Sequence, residues 1–143
     1  MDQMKTLKSP LGRLEIRGEK NEIVRCRRQL AEYFRGTRRV FRLPLHLSGT
    51  DFQKKVWRRL MYVPYGKTIS YAELANRIGQ PKAYRAVANA CGQNPLPILI
   101  PCHRVIASDG KLGGYSSGLK RKRWLLWHEK NICRNTPLTV ARG

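Results

Sequence analysis

A pair of short, capped helical stretches in the middle of the chain narrows the possible folds most. Ser70 stands three residues before Glu73, a capping-box pattern, and Tyr71, Leu74, Ala75 and Ile78 fall at i, i+3, i+4 and i+7. Gly79 stops that helix, and Pro81 suits the first turn of the next. Ala83, Ala86, Val87 and Ala90 give the second helix an inner stripe, and Gly92 ends it. Two short helices joined by a tight glycine-containing turn form a helix-turn-helix pattern. On the second helix Lys82, Arg85 and Asn89 share the outward face, and alanine dominates the rest. Small side chains let a helix backbone approach a narrow groove, but alanines that merely ease helix packing look the same. The helix alone leaves both open.

The flanking segments fill out the organisation. Thr50 and Gln53 form another capping-box pattern, opening a helix with Phe52, Val56 and Leu60 on one face, and Pro64-Tyr65-Gly66 makes a turn. Ahead of a Ser48-Gly49 joint lies a small module. Leu11, Leu14 and Ile16 suggest a strand around Gly12, and residues 18–21 a turn. Residues 22–35 read as a basic amphipathic helix, with Ile23, Cys26, Leu30 and Phe34 near helical spacing and Gly36 as its stop. Residues 40–47 are extended around Pro44.

Charge points to the partner. Against 9 Asp and Glu there are 29 Lys and Arg, a net +20 over 143 residues. So basic a chain repels itself when compact, and a polyanion relieves that repulsion. Nucleic acid is the preferred reading; an anionic membrane, or a charge excess suited to a hot organism, are the alternatives. The cations are spread along the chain (25–28, 35–39, 54–59, 120–123), which favours a broad phosphate-facing surface over a detachable tail. Cys26, Cys91, Cys102 and Cys133 contain no C-x-x-C pair, and with three histidines (His46, His103, His128) no zinc site of familiar spacing is expected. The N-terminus lacks an apolar signal core, and no stretch approaches the ~18 apolar residues of a membrane span. A cytoplasmic, reducing setting follows, in which a reactive thiol persists.

Chemistry concentrates in residues 94–106, Asn-Pro-Leu-Pro-Ile-Leu-Ile-Pro-Cys-His-Arg-Val-Ile. Cys, His and Arg inside an apolar run are costly unless they face a pocket or each other. A thiolate is a strong, soft nucleophile, and nearby positive charge raises its fraction. Taken alone, the segment leaves a packing cysteine and a nucleophile equally open.

Pro101-Cys102-His103-Arg104-Val105 resembles the active-site motif of the O6-alkylguanine-DNA alkyltransferases, the methylated-DNA–protein-cysteine methyltransferases. The resemblance extends over about 80 residues, through Gly49-Thr50-Asp51-Phe52-Gln53, Val56-Trp57, Pro64-Tyr65-Gly66-Lys67-Thr68-Ile69-Ser70-Tyr71, Arg85-Ala86-Val87, Asn94-Pro95, Gly113-Gly114-Tyr115-Ser116, and Leu125-Leu126 with Glu129. Ser9-Pro10-Leu11-Gly12 and Tyr33-Phe34-Arg35-Gly36 resemble the family's first domain. It implies an α+β fold: a shortened N-terminal α/β module (1–48), a helical winged helix-turn-helix domain carrying active site and DNA contact (49–131), and a C-terminal tail expected to be mobile (132–143).

The resemblance also implies a reaction. Cys102 would accept the alkyl group from O6-alkylguanine, and by extension O4-alkylthymine, in duplex DNA after base flipping, irreversibly and once per molecule, as a monomer and with no metal or other cofactor. Glu129, His103 and a water would withdraw the thiol proton. Neighbours in an extended segment point apart, so His103 is poorly placed to touch Cys102 directly. Asn94 would hold the active-site turn, and Tyr71 would give a proton toward the leaving guanine. Val105, Tyr115, Ser116 and Ser117 would line the pocket, Ser117 standing where glycine is common. Arg85 would fill the gap left by the flipped nucleotide, with Lys82, Ala83, Tyr84, Asn89 and Arg104 as further DNA contacts.

The residues read without the family leave blander roles. Tyr71 fits the inner stripe of its helix, Glu129 suits a surface charge, and Trp124 and Trp127 suit a core better than base-stacking platforms. Cys91 is a packing thiol or a DNA contact. Two rival functions stand beside alkyl transfer: a non-catalytic alkyltransferase-like lesion binder, which usually has tryptophan in place of the cysteine, and a winged-helix transcription regulator with a structural Cys102.

Overall fold

A serine and a glycine set the first turn of the chain. In this computed structural model, which describes residues 3–115 and 118–135, Ser9 Oγ donates to the Gly12 carbonyl (2.7 Å) and accepts from Leu11 N (3.1 Å). Gly12 takes φ +101°, a left-handed conformation that favours glycine. The turn joins β1 (Gln3–Ser9) to β2 (Gly12–Gly18), antiparallel, with Ser9 opposite Gly12 and Gln3 opposite Gly18. β2 matches the expected strand. β1 was not anticipated, because its largely exposed residues carry no clear apolar alternation.

α1 (Lys20–Arg35) begins two residues earlier than its spacing suggested. It buries Ile23, Cys26, Leu30 and Tyr33; Tyr33, not Phe34, is the fully buried ring, and Phe34 meets it edge-on at 5.4 Å. Gly36 ends the helix in the left-handed region. The buried Gln29 amide then exchanges two hydrogen bonds with the Arg42 backbone (3.1 and 2.9 Å), holding the extended segment that follows. These residues form one compact unit, ending at His46; a second begins at Leu47.

In the second unit α2 (Asp51–Leu60) has the full expected capping box: Thr50 Oγ1 accepts from Gln53 N, and Gln53 Oε1 from Thr50 N. Trp57 donates its indole N–H to the Ala90 carbonyl at 2.8 Å. A Cβ on Gly49 would lie 2.8 Å from that indole, so glycine is needed there. β3 (Ile69–Ser70) leads directly into α3 (Tyr71–Arg77). Ser70 Oγ accepts from Glu73 N at 3.0 Å, but Glu73 turns its carboxylate to Arg77 (2.7 Å), so only half of this second box forms.

α4 (Tyr84–Gly92) starts three residues beyond Pro81. Pro81 instead occupies the second position of a turn closed by Ala83 N donating to Gln80 O at 2.9 Å, which its fixed φ suits. Lys82 and Ala83 therefore precede the helix. Ala86, expected inside, is exposed; Val87, Ala90 and Cys91 make the buried face.

β4 (Val105–Ile106) pairs in parallel with β3, Ile69 opposite Val105. α5 (Leu119–Asn135) buries Lys122, Leu125, His128 and Glu129. It continues through residues 132–135, first assigned to the tail, because helical spacing carries Cys133 against Gly66, where a Cβ would lie 2.5 Å from the Cys133 sulfur. The rest of that tail, 136–143, lies outside the described residues. Trp127, expected in the core, is 60% exposed, while Trp124 is half-buried and stacks on His128 at 4.7 Å. The core around Val56, Trp57, Leu60, Leu74, Val87, Ile100, Val105 and Leu125 gains about 1.5–3 kcal/mol per large apolar side chain. That gain offsets the several kcal/mol that each buried ion costs.

Candidate active site

Cys102 sits on a folded turn rather than in the extended run its neighbours suggested. After α4, Asn94 Oδ1 accepts from Leu96 N (2.9 Å) while Nδ2 donates to the Ile100 carbonyl (2.8 Å) and to Cys102 Sγ (2.9 Å). One amide thus ties both ends of the turn to the sulfur. Ile98 takes φ 77°, which costs a β-branched residue on the order of 1–3 kcal/mol. Cys102, His103 and Arg104 then form one 3₁₀ turn. Successive residues there project about 120° apart, so His103 still points away from Cys102.

All three side chains are buried. His103 Nε2 lies 2.6 Å from Glu129 Oε2, with both residues at most 1% exposed. Arg104 donates Nε to Glu129 Oε1 (2.9 Å), Nη2 to Oε2 (3.0 Å) and Nη1 to the Val63 carbonyl (2.8 Å). This corrects the expectation of a DNA contact for Arg104: a guanidinium that neutralises a buried carboxylate is unavailable to phosphate. It also removes Glu129 from the surface. Glu129 Oε1 further accepts from Gly66 N at 3.1 Å.

The electrostatics assign the protons. Burial alone would raise the Glu129 carboxyl, but hydrogen bonds and charge from His103 and Arg104 outweigh it and hold the group well below the usual carboxylate range. Burial is the largest influence on His103 and lowers its pKa, against the opposing pull of Glu129. Arg104 is the permanent cation of the cluster, so a neutral imidazole donating Nε2–H to the carboxylate is the consistent arrangement. Nδ1 then carries the lone pair, and it is buried with no hydrogen-bond partner. Burial raises the Cys102 thiol, with Asn94 and Lys122 pulling the other way. The resting sulfur keeps its proton.

The opposite wall comes from α3 and the segment before α5. β3–β4 pairing sets Ser70, and hence Tyr71, beside the strand that leaves the cysteine turn. Tyr71 Oη lies 3.5 Å from the Gly114 carbonyl. Its phenol is pushed up to about 12, mainly by burial and then by the nearby Cys91 and Cys102 thiols. Gly113 (φ +69°) faces the ring, and a Cβ there would lie 2.9 Å from Tyr71 Oη and Cε2. Burial raises the Tyr115 phenol strongly, with Cys102 close enough to add to the effect. Val105 is fully buried behind the site. Ser116 and Ser117, expected to line the pocket, lie outside the described residues.

One contributor escaped the sequence. Lys122, counted among the phosphate-facing cations, is fully buried; its Nζ donates to the carbonyls of Val105 (2.7 Å), Leu112 and Gly114 (3.0 Å), joining β4 to the Gly113 segment. Its signal was present: Lys122, Leu125 and Glu129 share one helix face at i, i+3 and i+7. Cys91, read as a packing thiol or a DNA contact, is buried beneath the site, its thiol raised by burial to about 12. On α4, Tyr84, Arg85 and Asn89 are exposed, with Lys82 exposed just ahead of the helix.

Residues 51–131 match the family described as 6-O-methylguanine DNA methyltransferase, DNA binding domain. A methylated-DNA–protein-cysteine methyltransferase of Methanosarcina barkeri is 56% identical over 107 residues, which cover 75% of this chain and 68% of that relative. Among solved structures, the Mycobacterium tuberculosis O6-methylguanine methyltransferase superposes with TM-score 0.88 at 38% identity, covering 99% of both chains. The M. tuberculosis OGT in complex with DNA superposes with TM-score 0.84 at 40% identity, covering 90% of this chain and 93% of that one.

Proposed function

Because this chain belongs to the 6-O-methylguanine DNA methyltransferase family, we propose that it repairs DNA directly, moving the alkyl group of O6-alkylguanine onto Cys102 in a single irreversible turnover. The observation that carries the reading is the buried His103–Glu129 contact of 2.6 Å with Nδ1 of His103 left as a free base. A thiol raised by burial is inert without such a base, and a neutral imidazole acting through a bridging water would supply it.

His103 Nδ1 takes the Cys102 proton through a water, and Glu129 stabilises the imidazolium that forms. The sulfur attacks the alkyl carbon; the S–C bond forms as the C–O6 bond breaks, and the electron pair leaves with guanine. Tyr71, held protonated near 12, donates toward that leaving base, and a neutral guanine leaves far more readily than its anion. Protons lost by Tyr71 and gained by His103 exchange with solvent. The thioether has no easily expelled group, so the protein is consumed. Asn94 keeps Sγ aimed, Val105 and Tyr115 border the base, and Ser116 and Ser117 are the residues the family resemblance adds to the pocket.

DNA enters through α4. Its exposed Arg85 fills the space of a nucleotide rotated into the site, and Tyr84, Asn89, Lys82 and Ala83 border the groove. By the same chemistry the reaction would extend to O4-alkylthymine, whose reacting carbon also sits on an exocyclic oxygen.

Intact-mass measurement after incubation with an O6-methylguanine oligonucleotide tests this directly. A gain of one methyl that disappears in Cys102→Ala supports transfer. Tight binding with no mass gain would instead favour a lesion binder.

A further inference from the structure

The helix offered to the lesion carries little of this protein's charge. α4 contains one cation, Arg85, whereas α2 holds Lys54, Lys55, Arg58 and Arg59 in ten residues, against Asp51 alone. Asp51, Lys55, Arg58, Arg59 and Tyr62 line a groove of about 490 Å³, closed on one side by Arg77 and Ile78 at the end of α3. Asp51, Lys55 and Arg58 form one stripe of α2 at i, i+4 and i+7, and Tyr62 follows in the turn just past its end. Tyr62 is 72% exposed, with the Arg59 guanidinium 5.5 Å from its ring centre. Arg59 Nε is buried and has no hydrogen-bond partner. Arg77 is paired with Glu73, but among the described residues no ion pair engages Lys55, Arg58 or Arg59. Three uncommitted cations around an exposed aromatic ring are complementary to a phosphate backbone with its sugars and bases.

Alkyl transfer uses none of this. Lys55 and Arg58 leave α2 roughly 160° and 100° round the helix from Trp57, and Trp57 is the side chain that reaches into α4, at Ala90. α4 turns Ala90 inward and Arg85 and Asn89 outward. The groove therefore opens on a different side of the domain from the lesion-facing helix.

We propose that this α2 groove holds the backbone of a second DNA segment while α4 engages the first. The proposal rests on α4 being the lesion-duplex contact. A protein with two duplex-binding faces passes from one DNA segment to another without complete release, which shortens the search for rare lesions.

Capture of a second duplex is the test. An undamaged duplex is immobilised and loaded with protein, excess protein is washed away, and uptake of a labelled second duplex is followed against salt. Wild type takes up the second duplex. Lys55→Glu with Arg58→Glu loses that uptake, and for a variant that retains a measurable part the log–log salt slope falls by about 1.8, two phosphate contacts at about 0.9 each. Both side chains are exposed, so the melting temperature and the rate with a free O6-alkylguanine base stay unchanged, and Arg58→Lys alone keeps the uptake. Equal capture by the doubly reversed variant overturns the proposal. So does absence of capture by wild type, which would leave the groove to the flank of a single long duplex or to an acidic protein. Failure of the Cys102 mass gain is a separate outcome and bears on the reaction alone.

Discussion

Replacing Arg104 by methionine removes the cation of the buried cluster while keeping most of its volume. The structure gives the size of the effect. Arg104 makes two hydrogen bonds to Glu129 and one to the Val63 carbonyl, and the carboxylate it neutralises is 1% exposed. Removing one partner of such a pair leaves an uncompensated buried charge and costs about 3–5 kcal/mol at pH 7. For a chain of this size that lowers the melting temperature by on the order of 10–20 °C. The pH dependence separates charge from packing. In the native protein Glu129 lies below its unfolded value of about 4.3, so its contribution is complete above that pH and is lost as pH falls further. In the variant Arg104 no longer opposes burial and only His103 still lowers the carboxyl, so the buried pair is left one positive charge short. Proton uptake by the pair restores that charge, and the variant's deficit narrows as pH falls from 7 toward about 4.5. Urea denaturation at the two pH values measures it. A deficit under about 1 kcal/mol, or one equal at both pH values, would refute the argument. Lower DNA affinity with unchanged stability would instead return Arg104 to the DNA surface.

Other outcomes follow from neighbouring groups. His103 must be neutral to accept the thiol proton, and its folded pKa lies below 6.5. The alkyl-transfer rate should therefore hold level down to about pH 6.5 and fall only below it; a decline starting above pH 7 would contradict this. The same shift makes stability fall as pH drops below about 6.5, because the unfolded chain binds the proton more readily. Gly113→Ala combines a left-handed backbone with a 2.9 Å approach to Tyr71. It should cost about 1–3 kcal/mol and slow alkyl transfer, and a melt and rate matching wild type would mean that the segment yields freely. Arg85→Ala should slow repair in duplex DNA more than reaction with a free O6-alkylguanine base; equal slowing would remove it from the flipping role.

Local sequence determined much of this protein. The Thr50–Gln53 box, the glycine stops and the apolar stripes of α2 and α3 are decided by hydrogen bonds and side-chain periodicity within a few residues. Within Pro101–Val105 the residues alone left a packing cysteine and a nucleophile open, and only the resemblance pointed to Cys102 as the acceptor. Partner choice across the chain was not legible. Arg104, Lys122 and Glu129 look like surface charges one at a time, and only folding supplies the carboxylate or carbonyls that make their burial tolerable. Trp127 shows the converse, an apolar side chain left outside because Lys122, Leu125 and Glu129 take the inner face of α5. Helical spacing restricts which side chains lie together, but which of them meet a compensating charge depends on contacts between residues far apart in sequence, and these exist only once the tertiary structure has formed.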